Sequence, residues 1–425
     1  MSCFGGKMHS YKFLSIDRFD GNNLDSSAYF LSHCHTDHMV GLDKHEFASK
    51  LKNHNLVKVY MSEVTKILLL SDPKYLHLKP HICVLPIEQP KIVKIFEGKT
   101  IHEVTITLFS AGHCPGSVMF LFEGNDGTCL YTGDFRLPKG SATRMKHLHS
   151  GSSKKLIHHL YVDTTFCIPD ANFIPEREIC LQKLINLVKN WISKGKNHIV
   201  RLNLSAKYGY EYLYQALYET FNTKIYCARA GNYKCLPDVA EVLTTDPTHS
   251  QIYACFKKER VKEKDWSQWE ATNDEIVPNK QLKFLSVTLS TLYFTHAALP
   301  KDVQIRISET SFRLCFSFHS SLSEVCDFVR HVQPLSVHAN VIPRVGESFS
   351  SVEQRLRNLC GLKNHEKINS ADEMKEALMM RFSFHQSGDS KPDIFWRLIC
   401  SSLKSFISSC ATMFYVLSKF PETHV

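Results

Sequence analysis

Ser32-His33-Cys34-His35-Thr36-Asp37-His38 packs three imidazoles and one carboxylate into six residues, directly after the apolar run Ala28-Tyr29-Phe30-Leu31. Alternate side chains of an extended chain share a face, so His33, His35 and Asp37 are expected on one side of the chain leaving that run. One cation can take His33 and His35. Asp37 and His38 are adjacent and diverge, which suits a second cation beside the first, with nitrogen and carboxylate donors of the kind zinc or manganese accepts. A closed structural zinc knot needs four ligands, and this chain offers more.

Downstream, three short β-rich runs, 104–109, 117–122 and 128–132, are punctuated by turns, and Gly124-Asn125-Asp126-Gly127 reads as the tip of a hairpin. Two polar clusters, Ala111-Gly112-His113-Cys114-Pro115-Gly116 and Thr132-Gly133-Asp134-Phe135-Arg136, sit at strand ends, so His113 and Asp134 are placed as ligands. From about Lys155 strands and helices alternate, the pattern of an α/β layer. Helices are predicted over 175–193 and 209–221, and a strand over 198–204. Strand texture returns after Val303, and Arg313-Leu314-Cys315-Phe316-Ser317-Phe318-His319 delivers a histidine at its end. The charge run 257–264 reads as a solvated loop, and 363–392 as linker or disorder.

The 425 residues can hold more than one domain, and 43% hydrophobic with 22% charged residues is ordinary for a globular protein. A net charge of +9 and a pI near 8.7 favour an acidic partner such as nucleic acid without demanding one. Fifteen irregularly placed cysteines and an N-terminus without an apolar signal core point to an intracellular chain with reduced thiols. The apolar stretch 393–420 is broken by Arg397 and Lys404, so an amphipathic helix is expected there and no membrane span.

The histidine run, with Asp17 before it and His113, Asp134 and His319 after it, resembles the metallo-β-lactamase hydrolases, specifically the β-CASP nucleases of the Artemis/Apollo branch. Ser15-Ile16-Asp17-Arg18-Phe19-Asp20 and Val162-Asp163-Thr164-Thr165-Phe166-Cys167 are worded like the hairpin-opening side of that branch more than its 5′ exonucleases. The resemblance implies an α/β fold, a metallo-β-lactamase αββα sandwich with an inserted β-CASP α/β cassette. The expected division is a first lactamase part over 1–154, the cassette over 155–302, a lactamase return segment over 303–361 and a C-terminal tail over 362–425.

By the same resemblance, one metal takes His33, His35, His113 and Asp134, and the other Asp37, His38, Asp134 and His319. Asp134 bridges, and two cations ~3.5–4 Å apart activate water for in-line attack on phosphorus. Zinc is expected at one or both positions, with magnesium or manganese supporting activity. Asp17 orients ligand histidines. Asp163 orients water or phosphate, or protonates the leaving oxygen. Asp17, Asp37, Asp134, Asp163 and His319 thus form the expected catalytic set. Ser317, Ser320 and Ser321 are candidates for a terminal phosphate, and Lys207, Arg136 and Arg313 for the groove.

The resemblance implies a monomeric nuclear nuclease. It would open DNA hairpins and trim overhangs in end joining and V(D)J recombination. The DNA-dependent protein kinase catalytic subunit and DNA ligase IV are its implied partners, although little more than sixty residues follow Gly361 and the apolar segment Ile394 to Phe420 is unlike the acidic, serine-rich tail expected. The rival readings are a 5′ exonuclease of crosslink or telomere repair and a catalytically silent DNA-end scaffold. A cassette zinc of two histidines and two cysteines is expected to be absent, because Tyr226 and Tyr253 stand at two of its positions and His249 with Cys255 cannot close it.

Overall fold

The apolar run before the histidine cluster becomes the Ala28–Phe30 strand of a four-stranded parallel sheet with Leu14–Ile16, Val59–Met61 and Ile82–Val84. The computed structural model describes residues 2–256, 282–295 and 303–362. The first three of these strands are buried throughout, as a parallel sheet covered on both faces requires.

A six-stranded sheet lies against it, in the order Ser336–Ala339, His159–Val162, Gly127–Tyr131, Val118–Gly124, Thr100–Ser110, Lys91–Glu97. Strand alternation divides its core cleanly. Val118, Phe120 and Phe122 join Ile16, Phe30 and Tyr60 between the sheets, whereas Met119 and Leu121 pack outward with Val325, Val329 and Leu356. Those three belong to the helices Leu322–Val332 and Phe349–Cys360. On the opposite side, His45–Asn53 and Glu63–Leu70 bring Phe47, Leu51, Leu68 and Leu69 to the first sheet. The layers are therefore helix, sheet, sheet, helix. The expected hairpin is present, with Asn125 and Asp126 between paired Gly124 and Gly127.

A seven-stranded sheet forms the second α/β layer, centred on His198–Leu204 between Ile252–Phe256 and Lys283–Leu289. The helices Arg177–Ile192 and Glu211–Phe221 cover one face through Cys180, Leu184, Leu213 and Leu217. Sheet membership differs from the sequence division at both borders. The His159–Val162 strand pairs with Gly127–Tyr131 and Ser336–Ala339 in the six-stranded sheet. The Gln304–Ser308 and Ser311–Leu314 strands pair into the seven-stranded sheet. Alternation in sequence marks a strand but not its neighbour, because pairing is decided by distant hydrogen bonds. The readings of 257–264 and of the tail beyond Leu362 lie outside the described residues. No helix among the described residues is long and apolar enough to cross a membrane.

Arg136, expected to face the groove, is instead buried where the layers meet. Its guanidinium donates to the carbonyls of Ser317 (3.1 Å), Ile174 (3.3 Å) and Pro175 (2.7 Å), and stands 3.8 Å from Glu324. Arg136→Met would strand the Ile174 and Pro175 carbonyls and take a cation from beside Glu324, while the Ser317 carbonyl keeps Arg177 Nε, at about 3 kcal/mol of stability. Urea denaturation checks this, and a midpoint within error of wild type would refute the latch. Arg313, the other groove candidate, lies over the Tyr293 ring at 4.3 Å.

Candidate metal centre

Five imidazoles converge on Asp134. Its Oδ2 lies 3.2 Å from His38 Nε2, 3.6 Å from His113 Nε2, 3.7 Å from His33 Nε2 and 4.0 Å from His319 Nδ1. His35 joins through Nδ1, 3.0 Å from His113 Nε2.

The outward nitrogens are held by acceptors. His38 Nδ1 donates to Asp17 Oδ2 at 2.8 Å, His113 Nδ1 to the Phe318 carbonyl at 3.0 Å, and His35 Nε2 to the Tyr208 carbonyl at 3.1 Å. His33 Nδ1 meets Ser32 Oγ at 2.9 Å, and that hydroxyl is itself donated to Asp17 Oδ2 at 2.6 Å, so the imidazole is the donor. These bonds turn four basic lone pairs inward toward a carboxylate. The inward Nε2 atoms of His33 and His38 are buried without a hydrogen-bond partner. Leaving such an atom unsatisfied costs about 1–3 kcal/mol, and a cation among nitrogen and carboxylate donors removes that cost. The residues fit divalent metal.

The electrostatics agree. Burial holds the His33 and His113 imidazoles well below the usual range, with the neighbouring histidines adding to it. Burial alone would lower His38 as well, but Asp134 and Asp17 outweigh it and raise it far above. Burial would raise Asp134, yet His38, His319 and His113 hold it well down. Without a metal the cluster draws a proton onto His38. It calls for positive charge.

Asp37 arrives differently from the extended-chain expectation. The chain turns into a single 3₁₀ turn at Thr36–His38, so Asp37 does not share the face of His33 and His35 by strand alternation. Its Oδ2 is 3.9 Å from His38 Nε2 and accepts the Ser2 backbone N–H at 2.8 Å.

Asp17 ends the Leu14–Ile16 strand at φ +54°, an uncommon conformation for a residue with a side chain. There its carboxylate accepts from Ser32 N, Ser32 Oγ, His38 Nδ1 and Tyr131 OH. Asp163 accepts His319 Nδ1 at 2.8 Å on Oδ2, with Phe135 N at 3.3 Å, while Thr165 N and Oγ1 fill Oδ1. Both its oxygens are thus occupied.

The serines bond to the neighbouring backbone. Ser317 Oγ donates to the His319 carbonyl and accepts the His319 N–H, and Ser320 Oγ donates to the Phe135 carbonyl. Ser321 caps the Leu322–Val332 helix in a box with Glu324. Buried hydroxyls beside free backbone groups satisfy those groups first, so they staple the histidine loop. Lys207 is half-buried, with Nζ 4.8 Å from the centre of the Tyr208 ring, beside the carbonyl that holds His35. That loop comes close to the return segment because Gly209, at φ +118°, has no Cβ; one would lie 2.6 Å from the Phe318 ring.

The family described as DNA repair metallo-beta-lactamase matches residues 237–346. Over 364 residues, 85% of this chain, the sequence is 43% identical to Protein artemis of Homo sapiens, covering 52% of that protein. The figures for Protein artemis of Mus musculus are 44% identity over 364 residues, with 51% of that protein covered. Against 5′ exonuclease Apollo of Gallus gallus, identity is 30% over 329 residues, 76% of this chain and 60% of that protein. Residues 237–346 thus match a DNA repair metallo-beta-lactamase domain, and 85% of the chain is similar to the Artemis proteins. The chain spans about half the length of its Artemis relatives.

Within this site, the sequence reading missed Tyr131, the Tyr208 and Phe318 carbonyls, and Cys114. The Cys114 thiol, pushed well up by burial, lies with His33, His35 and His113 in one ligand-sized group. Tyr131 closes the apolar run before Thr132-Gly133-Asp134, and a tyrosine entering a ligand loop was the signal available. The carbonyls leave no trace in sequence. At the expected cassette-zinc positions, the Tyr226 and Tyr253 rings pack 4.8 Å apart beside Ile199, while exposed His249 pairs with Asp246 at 3.2 Å.

Proposed function

We propose that this chain is a metal-dependent DNA nuclease, an endonuclease that opens hairpins and trims overhangs with 5′ to 3′ exonuclease capacity. One observation carries the reading: a buried carboxylate, Asp134, ringed by imidazoles whose lone pairs turn inward, in a chain similar to the Artemis proteins. His33, His35, His113 and Asp134 would hold one divalent ion, and Asp37, His38, Asp134 and His319 a second. Zinc suits the nitrogen-rich donors at one or both positions, with magnesium or manganese supporting activity. Such ions supply charge stabilisation at phosphate oxygens and a water-derived nucleophile near neutral pH.

The chain's own groups supply orientation. Asp17 keeps the His38 proton on Nδ1, so His38 presents Nε2 to the centre, and Asp163 accepts from His319 Nδ1 and so fixes that ring. Asp163 is therefore a positioning residue for His319. The Tyr208 carbonyl fixes His35 from the seven-stranded layer, tying the two layers together at the centre. Lys207 beside it is the cation placed to meet a phosphate.

Acting as a monomer in the nucleus, such an enzyme would serve double-strand break repair by end joining and V(D)J recombination, with the DNA-dependent protein kinase catalytic subunit and DNA ligase IV as partners. Identity of 43% to Protein artemis against 30% to Apollo favours this over a dedicated 5′ exonuclease. The test is cleavage of end-labelled hairpin and 5′-overhang DNA with magnesium or manganese, beside Asp37→Asn and a matched single-stranded RNA. Nicking near the hairpin tip that vanishes in the variant is the expected result. Cutting of RNA alone, or DNA binding without cutting by the metal-loaded chain, would overturn it.

A further inference from the structure

A second group of imidazoles lies away from Asp134, at the edge of the six-stranded sheet. His159 begins the His159–Val162 strand, at the end opposite Asp163. His338 lies on the parallel edge strand Ser336–Ala339, paired with Tyr161, so it stands diagonally across from His159 on the same face. His159 Nδ1 and His338 Nε2 are 3.0 Å apart. The His9 ring centre is 4.8 Å from that of His338 and 6.0 Å from that of His159. The N-terminal segment is pinned there because the His9 backbone N–H donates to Tyr161 OH at 2.7 Å.

The surrounding charges include both signs. Glu353, from the Phe349–Cys360 helix, accepts the Ala339 N–H at 3.0 Å and is close enough to interact with His9, while Arg357 of the same helix acts on His338 and His158 acts on His159. Three imidazoles and a carboxylate from four separate segments thus meet at one edge. Two zinc-bound nitrogens at ~2.0–2.1 Å and a tetrahedral angle stand roughly 3.3 Å apart, close to the His159–His338 spacing.

We propose that His9, His159 and His338 hold a divalent transition-metal ion, zinc or a borderline relative, with Glu353 available to complete the set. The ion clips the N-terminal segment to the sheet edge and is separate from the centre around Asp134. His9 is exposed, so its side chain is free to rotate inward. The two inner imidazoles are also poised as neutral ligands: burial first, then the other histidines, push His338 down to about 3 and His159 to about 4. Proton competition therefore stays weak into mildly acidic solution.

The test is metal content. The full chain is stripped with chelator, reloaded with excess zinc or cobalt(II), desalted and counted, with the cobalt visible spectrum recorded in parallel. Wild type should carry one equivalent more than His338→Gln or His159→Gln at pH 7, and still at pH 6, whatever the Asp134 centre retains. His9→Ala, at an exposed position, should weaken the extra equivalent at least tenfold. Equal metal content and identical cobalt spectra in wild type and His338→Gln would overturn the proposal. If the inner variants fail to fold by circular dichroism, unchanged affinity in His9→Ala overturns it. The readout is independent of DNA cleavage.

Discussion

Asp134→Asn is expected to empty the metal centre and reduce DNA cleavage by about a thousandfold or more. The Asp134 Oδ2 atom is within 4.0 Å of ring nitrogens from four histidines, so its negative charge is shared by both proposed ions. An amide keeps the shape but removes the charge and turns either a weaker acceptor or a donor toward those lone pairs. Metal assistance is worth several kcal/mol of barrier, and about 4 kcal/mol is roughly a factor of a thousand. Circular dichroism should stay unchanged, because the substitution preserves volume. The measurements are metal content and single-turnover cleavage. A variant that keeps two metals and cuts hairpins at the wild-type rate would remove the bridging role from Asp134.

Asp17→Asn should act on both fold and metal without touching either ion. Four donors converge on this carboxylate: Ser32 N at 2.7 Å on Oδ1, and Ser32 Oγ, His38 Nδ1 and Tyr131 OH on Oδ2. Whichever way the amide is turned, its NH₂ faces at least one buried donor. The expected loss is about 2–4 kcal/mol of stability, together with a 10- to 100-fold weaker metal affinity as His38 loses its orientation. Asparagine tolerates the left-handed backbone of position 17, so strain is not the cause. Tyr131→Phe gives the graded control, since it removes one donor and should cost only about 1 kcal/mol. Chelator competition that returns wild-type affinity for Asp17→Asn would show that His38 is oriented by packing alone.

The candidate ligands His33, His35, Asp37 and His38 were legible in sequence because they lie within six positions, and His113 and Asp134 because they sit in turns at the ends of β-rich runs. The helices Arg177–Ile192 and Glu211–Phe221 fall inside the predicted spans, since apolar periodicity is a local property. Asp37 shows where local reading failed: alternation was carried two residues too far, into a 3₁₀ turn. Ser317 and Ser320 carry a different ambiguity. A polar residue beside a ligand histidine reads equally as substrate contact or loop staple, and only the positions of the His319 and Phe135 backbone groups separate the two.

The chain by itself determined the donor types, the strand ends that carry them and the layered α/β class, all of which follow from neighbours in sequence. Tertiary structure decided which partner each donor meets. His319 meets Asp163 from 156 positions away, His35 meets the Tyr208 carbonyl from 173, and the His159–Val162 strand finds its neighbours in the six-stranded sheet. Such pairings come from burial, which leaves every enclosed polar group to find a partner wherever packing has brought one.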